Sequence, residues 1–276
     1  MKTKFLFLFL ALGFLSCSSD DSGSTPIIPV GDNAYFPQDQ GNYWVYDVMS
    51  EQAPASRDSL YINAAIEENG YTYYSYATEN NMPLGFYSRI MTSGKSRNSG
   101  SRVLISGTMN AGDIFGGNLG ELEVNFNNFL FFDASATSGK PLDSKSDSFN
   151  FLYNDIDFKI DYILSTTAGQ SFPTHTIGDV VYENIKTTTL SLKAKITATV
   201  NLFGVEIPYV IMNQQDIILS TQYYTKNVGV IFVDTKIEYH LNELPIPDVE
   251  LPVPQDFESS SSETLDIFYI QPSAEE

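Results

Sequence analysis

Three aspartates with alternating spacing, Asp155, Asp157 and Asp161, are the first residues that suggest chemistry. Carboxylates on one strand face can bind calcium or serve as the acid and base of glycoside hydrolysis. A calcium loop normally contains a tight glycine turn, and the sequence has none here. A solvated strand face explains the three acids more simply, so we predict neither a metal site nor a catalytic site at this place.

The two histidines do not complete a catalytic arrangement. His175 lies in the polar segment "SFPTHTIG", which we interpret as a loop, and His240 falls on the solvated side of a strand. Neither has a serine or cysteine partner in a recognisable motif. A single cysteine forms no intrachain disulfide and no cysteine-rich metal site. The sequence therefore predicts no catalytic residue, no metal, no cofactor and no enzymatic activity; a glycan-processing enzyme is the disfavoured alternative.

The segment "YTYYSYAT" contains the densest group of aromatic residues. In a strand, Tyr71 and Tyr73 share one face, and Tyr74 and Tyr76 share the other. Exposed aromatic strips bind sugars, peptides or proteins because they bury a large area at low entropic cost. Cross-strand aromatic pairing within a sheet is the favoured alternative. These four tyrosines are the candidate ligand-binding or partner-binding residues.

The elements that must position these side chains are strands, because apolar residues alternate with polar ones. The apolar files occupy every second position of segments 156–164 and 190–200 and, except at Thr235, of segment 231–241; a fourth file, Leu122 to Phe132, is broken at Asn128. Turns separate the strands at Glu68-Asn69-Gly70, at Asn201–Gly204 and at Asn227-Val228-Gly229. No amphipathic helix of ten residues or more is predicted.

About nine to twelve strands joined by short loops predict an all-β fold with an antiparallel sheet. The sheet is either an open or half barrel or a sandwich, and the long strands favour strong curvature. Five segments follow along the chain: a signal peptide (1–16), a flexible tether (17–34), the antiparallel β domain (35–243), a Pro/Ser-rich linker (244–263) and a C-terminal edge strand or docked tail (264–276).

The charge balance excludes some partners. The chain has 34 acidic and 15 basic residues, a formal net charge of −19. Nucleic acids and anionic lipid surfaces are bound by clusters of Lys and Arg. We therefore predict no nucleic-acid partner and no attachment through a basic patch. Aromatic residues make up 13% of the chain, which is enough for a sizeable core.

The start of the chain predicts export. Lys2 and Lys4 precede an apolar run from Phe5 to Leu15, which is too short for a membrane span of about 20 residues and fits a signal peptide. The run ends at Phe14-Leu15-Ser16-Cys17, which resembles a bacterial lipobox, and this resemblance implies that Cys17 carries the lipid. Ser18, Ser19, Asp20 and Asp21 resemble the export signal of surface lipoproteins of Bacteroidota.

Two further segments carry the same resemblance. "YFPQDQGNYWVYDV", from Tyr35 to Val48, is similar to the opening of lipoproteins from flavobacteria and their relatives, and "YYTKNVGVIFVDTKIEY" is similar to their later strand pair. The resemblance implies a lipid-anchored β-rich domain and supplies no catalytic residue or substrate. The residues themselves predict that Trp44 anchors the core, that Gly41 forms a turn and that Gly229 adopts a positive φ.

These observations predict a lipoprotein of the outer membrane that faces the cell exterior and has a binding or structural role without catalysis. The lipid on Cys17 is expected to attach the protein to the membrane. A further partner is either a protein or a glycan, and both alternatives stay open. The first alternative is a carrier of a hydrophobic ligand in a half barrel. That alternative requires an apolar concave face open to solvent.

Overall fold

The computed structural model describes residues 35–51, 53–79, 82–110, 123–202, 204–243, 251 and 253–272. These residues form twelve strands and one short helix, and the prediction of an all-β fold is confirmed. The bounds of the elements are β1 Tyr43–Ser50, β2 Ser56–Glu68, β3 Tyr71–Thr78, α1 Phe86–Thr92, β4 Lys95–Ser99, β5 Arg102–Asn110, β6 Glu123–Asp133, β7 Pro141–Tyr153, β8 Ile156–Ile177, β9 Val180–Leu202, β10 Val205–Thr225, β11 Gly229–His240 and β12 Asp256–Tyr269.

The twelve strands form one antiparallel sheet in the order β6-β5-β4-β3-β2-β1-β12-β11-β10-β9-β8-β7. The sheet curls into a nearly closed barrel, so the barrel alternative is correct and the sandwich is not. Side chains bridge the gap between the two end strands: the amide nitrogen of Leu130 donates to Asp143 Oδ2 (2.9 Å), and Lys145 Nζ donates to Asn125 O (2.7 Å).

Period-two alternation places the apolar files inside the barrel. On β9, Leu190, Leu192, Ala194, Ile196, Ala198 and Val200 are all buried, and on β8 the file from Ile156 to Leu164 is buried as well. Their polar neighbours face outward, which is the arrangement of a sheet with one solvated face. The two files pack against each other and against aromatic rings, so side chains fill the interior between these strands.

The barrel has a near end, where the described chain begins, and a far end. The near end carries the turns Asn69–Gly70 and Lys226–Val228, and the segment 35–42 crosses its mouth. Tyr35 packs there on Phe132, with ring centroids 5.8 Å apart. The far end carries the turn Asn154–Asp155 and the last residues of β5. Residues before Tyr35 therefore join the barrel at its near end.

The predicted turns at Asn69–Gly70 and Asn227–Gly229 and the predicted core anchor are confirmed, whereas in the predicted turn 201–204 Asn201 and Leu202 belong to β9 and residue 203 lies outside the described residues. Asn69 (φ 53°) and Gly70 (φ 78°) close the β2–β3 hairpin with the two positive φ angles that a two-residue turn of this kind requires. Gly41 and Gly229 also have positive φ (96° and 103°). Trp44 is buried, and its Nε1 donates to Val228 O (2.6 Å), which ties β1 to the β10–β11 turn.

The C-terminal strand differs from its prediction in two ways. β12 begins at Asp256, so the serine run Ser259–Ser262 is strand and not linker. It lies between β1 and β11 in the middle of the sheet and is not an edge strand. The serine run pairs with β11 throughout and with β1 from Ser261 onward, and this backbone pairing outweighs the low strand propensity of its side chains. Residues 244–250 and 273–276 lie outside the described residues.

Other local predictions need correction. The segment around His175 is strand, because β8 and β9 continue as a long hairpin in which His175 pairs with Tyr182. Asp155 lies in the Asn154–Asp155 turn with φ 60°, so it does not share a strand face with Asp157. Asn128 (φ 48°) interrupts the file of β6 as predicted, but beyond it the inward register shifts, so that Phe129 and Phe131 are buried and Leu130 is only half-buried. The prediction for Leu122 lies outside the described residues.

Candidate functional site

A short helix inside the barrel is the feature from which the site is built. α1 follows β3 and places Tyr87, Ser88, Ile90 and Met91 in the interior, where the helix packs against β2, β3, β4, β5 and β12. Gly85 is its N-cap residue and supplies no side chain to the first amide groups of the helix. These amide groups are unsatisfied within any helix, so a buried N-terminus requires acceptors from elsewhere.

Glu263 of β12 supplies the first set of acceptors. Its Oε1 accepts from the amide nitrogen of Tyr87 (2.6 Å), and its Oε2 accepts from the amide nitrogen of Ser88 (3.1 Å) and from Ser88 Oγ (2.7 Å). The side chain is almost completely buried, with a residue exposure of 2%. A carboxylate at a helix N-terminus is also favoured by the helix dipole, although α1 is only seven residues long.

Asp58 of β2 supplies the second set. It is buried, and its Oδ1 and Oδ2 accept from the amide nitrogens of Leu84 (3.1 Å) and Gly85 (2.7 Å). Gly85 must be glycine for a steric reason, because a Cβ there would collide with the carboxylate of Glu263. Asp58 and Glu263 thus form a carboxylate clamp that holds residues 84–88 inside the barrel.

The clamp perturbs the acid–base chemistry of Glu263. Burial raises the pKa of Glu263 to about 7; the hydrogen bonds from Ser88 and Tyr87 act in the lowering direction, and the charge of Asp58 raises it further. Burial also raises the pKa of Tyr87 and of Tyr46 well above 10, with the charge of Glu263 as an additional cause. Both carboxylates already accept backbone hydrogen bonds, so the arrangement positions a helix and presents no paired acid and base to a substrate.

A cavity of about 240 Å³ lies beside α1 at the far end of the barrel. Its apolar walls are Phe86, Ile90, Met109 and Ile237. Arg89, Ser93, Thr108 and Asn110 supply polar groups, of which the Arg89 Nε donates to Pro83 O (2.9 Å). An apolar pocket with a few polar groups at its side is the usual form of a small-ligand site. The helix that the clamp holds supplies one wall of this cavity.

Sequence reasoning missed the clamp and the cavity, although a signal for the clamp exists. Asp58 precedes Leu60 and Ile62 in the same inward-facing file, and Glu263 precedes Leu265 in the same way. An acid in an apolar file is expensive unless donors meet it. The donors come from α1, whose seven residues are too few to show helical periodicity in the sequence.

The four candidate tyrosines are divided between the two faces of β3, as the alternation predicts. Tyr71 and Tyr73 lie beside Arg97, whose guanidinium carbon is 4.3 and 5.7 Å from their ring centroids, and Lys95 Nζ is 4.5 Å from the centroid of Tyr73. These are cation–π distances. Tyr71 is half exposed, whereas Tyr73 is buried under these cations. Their role in binding a ligand or a partner stays a prediction.

On the other face, Tyr76 is buried in a polar cluster, and Tyr74 is half-buried against the core. The Tyr76 hydroxyl lies 2.9 Å from Ser96 Oγ, and Gln38 Nε2 donates to Ser96 Oγ (2.5 Å). Burial raises the pKa of Tyr76 to about 12, so its hydroxyl stays protonated at neutral pH. This cluster fastens the segment that crosses the near end to β3 and β4.

The remaining candidate residues are scattered. Asp161 faces outward and pairs with Lys159 (2.6 Å). His240 pairs with Asp256 on the outer surface, and His175 stacks between Phe172 and Tyr223 with centroid distances of 5.4 and 5.3 Å. Within the described ranges, no group of three or more His, Cys, Asp or Glu residues could hold a metal ion. Cys17 and the residues Ser18, Ser19, Asp20 and Asp21 lie outside the described residues.

The fold and the site together define a nearly closed antiparallel barrel with a helix clamped inside it. No family model matches the sequence, and no curated protein matches it. In the described part of the chain, no helix has the length and hydropathy needed to cross a membrane.

Two solved structures resemble the chain as a whole. One is a candidate lipoprotein from Parabacteroides distasonis, with 12% identity, a TM-score of 0.36 and coverage of 87% of this chain and 100% of the other. The second is a candidate exported protein with a YmcC-like fold from Bacteroides fragilis, with 11% identity, a TM-score of 0.35 and coverage of 86% and 99%. A likeness at these scores does not establish a shared family or a shared activity.

Proposed function

We propose that the protein is a lipid-anchored lipoprotein of the cell envelope, held in the outer membrane by Cys17, facing the cell exterior, with a binding role and no catalysis. Its ligand is a small amphiphilic molecule whose apolar group enters the cavity beside α1 and whose polar part meets the rim. The anchor rests on the resemblance of the apolar run and Cys17 to a lipobox.

The observation that carries the binding role is the position of the cavity. It lies at the far end of the barrel, whereas the chain that leads to Cys17 joins the near end. A ligand site at the end remote from the anchor is directed away from the membrane. The volume, about 240 Å³, is below the range of about 300–1,000 Å³ for drug-sized ligands, so only part of a ligand is enclosed.

The carrier of a whole lipid chain is the weaker candidate. It requires an open apolar concave face, whereas side chains fill the interior between β8, β9 and β10 and α1 occupies the interior beside β3 and β5. A filled interior offers no room for a long acyl chain.

The anchor is tested with Cys17→Ala in the full chain. We expect loss of acyl labelling and release of the protein from the membrane fraction, because the thiol is the attachment point of the lipid. Ser24→Ala, in the same segment, is the matched control and should leave both properties unchanged. Unchanged membrane retention and acyl labelling of the cysteine variant would disprove the anchor.

The cavity is tested with the fluorescent amphiphile 1-anilinonaphthalene-8-sulfonate. We expect saturable binding of one probe molecule and a several-fold weaker affinity in Met109→Trp, because the indole fills the cavity. Met49→Trp is the control, since Met49 is exposed on β1 (58%). Should the first variant unfold, Ile237→Trp fills the cavity from the opposite wall. Equal probe affinity in the filled variants and in the control would rule out this site.

A further inference from the structure

A row of tyrosines crosses the outer wall of the barrel at its near end. Tyr61 of β2 pairs with Tyr43 of β1, and Tyr43 pairs with Tyr269 of β12, so three rings lie side by side on neighbouring strands. The rings of Tyr43 and Tyr269 are stacked, with centroids 5.9 Å apart and an interplanar angle of 20°. We call Tyr61, Tyr43 and Tyr269 the tyrosine row.

The tyrosine row is an exposed apolar surface. Tyr43 and Tyr269 have exposures of 39% and 44%, and Ile267, two residues before Tyr269 on the same face of β12, has an exposure of 47%. Tyr71, at the start of β3 and thus at the same end, is 53% exposed. Isolated exposed apolar residues are common, but a contiguous set on adjacent strands indicates an interaction surface.

The position of the row limits what covers it. Segment 35–42 crosses the near end from Tyr35, which packs on Phe132 of β6, to the start of β1, so the residues that precede Tyr35 join the barrel at the same end as the row. The 17 residues from 18 to 34 span at most about 60 Å when fully extended. A lipid on Cys17 therefore holds the near end within reach of the bilayer surface. Once the lipid is in the bilayer, a contact between the barrel and the same bilayer is effectively intramolecular. Such a contact forms even when it is weak.

The chemistry of the row fits the interfacial region of a bilayer. Tyrosine has an apolar ring and a polar hydroxyl, and it is enriched at the level of the lipid headgroups. Charge does not set the orientation, because the near end carries the acids Glu67, Glu68 and Asp179 beside the bases Arg97, Lys140 and Lys226.

We propose that the tyrosine row and Ile267 contact the phospholipid headgroups of the membrane that holds the anchor, so that the barrel stands with its cavity directed outward. This proposal rests on the lipid anchor of the proposed function. The tyrosine row and Ile267 then form a second, non-covalent contact with the membrane, and this contact orients the barrel.

The experiment uses the full acylated chain in vesicles of phosphatidylethanolamine with a minor share of phosphatidylglycerol. A cysteine that carries an environment-sensitive fluorophore replaces Ile267 in one protein, and Val205 in a second protein. Val205 is the matched control, because it is an exposed aliphatic residue (59%) at the far end. Quenching by a lipid with a nitroxide on its headgroup reports the distance of each label from the bilayer surface.

We expect several-fold stronger quenching of the label at 267 than of the label at 205, and loss of that difference when Tyr43→Ser and Tyr269→Ser are combined. Vesicle flotation measures the anchor separately, so a protein that does not float refutes the proposed function and not the orientation. Equal quenching at both positions in a protein that floats would overturn the proposal. The proposal would also be overturned if the fluorophore at 267 became shielded from water as the protein concentration rises but was not quenched by the nitroxide lipid. That result would indicate contact with a second copy of the chain.

Discussion

At the scale of single residues, the carboxylate clamp determines where α1 lies. Asp58 and Glu263 project inward from two strands that flank β1, and together they accept five hydrogen bonds from residues 84–88. The interior around them is apolar and aromatic, with Tyr46 and Tyr87 in T-shaped contact (6.0 Å). An acid in such surroundings costs stability in its ionised form, and the helix amides reduce this cost.

The clamp predicts a pH dependence of stability. The folded-state pKa of Glu263, about 7, lies above its ordinary value of 4.5, so the folded protein binds more protons than the unfolded chain between these values. The contribution of Glu263 to stability is therefore fully present below pH 4.5 and is lost as the pH rises through 7. A shift of this size corresponds to a free energy on the order of 3 kcal/mol.

Glu263→Gln removes this titration. We expect the free energy of unfolding of the wild type, measured relative to the variant by urea titration, to fall between pH 5 and pH 8. The glutamine keeps one acceptor for α1 and places an amide group opposite another donor, so the variant is also less stable at a pH below 5. Glu258→Gln is the control, because Glu258 lies on the outer face of the same strand. Parallel pH profiles in wild type and Glu263→Gln would contradict this account.

At the scale of elements, the sequence predicted most strands because their inward files are continuous. The files of β8 and β9 and the Asn69–Gly70 turn follow from side-chain alternation and from the φ angles of Asn and Gly alone. β12 did not follow from its own residues. Ser259 to Ser262 form a strand because β11 pairs with the whole segment and β1 pairs with it from Ser261 onward, and this pairing is a long-range effect that local sequence does not contain. α1 escaped prediction for a similar reason, since acceptors from β2 and β12 hold its seven residues in place.

The central position of β12 predicts its exchange behaviour. From Ser261 to Thr264 the strand pairs with β1 on one side and with β11 on the other, so these amides exchange only when the sheet opens. We expect the amides from Ser261 to Thr264 in the monomer to be among the slowest to exchange with deuterium. β7 is the internal comparison, since it pairs only with β8 and half of its amides face the gap to β6. Complete exchange of Ser261 to Thr264 within seconds would refute the placement of β12.

At the scale of the whole molecule, the two ends of the barrel differ. Tyr35, where the described chain begins, and the tyrosine row lie at the near end, whereas the cavity lies at the far end. The net charge of −19 favours solubility of the domain, while it opposes close approach to anionic lipid. The proposed attachment through a lipid reconciles the two, because it does not require a basic surface.

The proposed display on the cell exterior rests on the residues after Cys17. Ser18, Ser19, Asp20 and Asp21 resemble an export signal, and the proposed ligand site, directed away from the membrane, fits a ligand that comes from outside the cell. Alanine at Ser19, Asp20 and Asp21 should therefore leave acylation intact and confine the protein to the inner face of the outer membrane. Protease treatment of whole cells checks this, since a displayed barrel is cleaved and a confined one is protected. Ser22→Ala with Ser24→Ala is the control, because it changes the same segment without removing its acids. Equal protease accessibility of the triple variant and the wild type would show that these residues do not direct display.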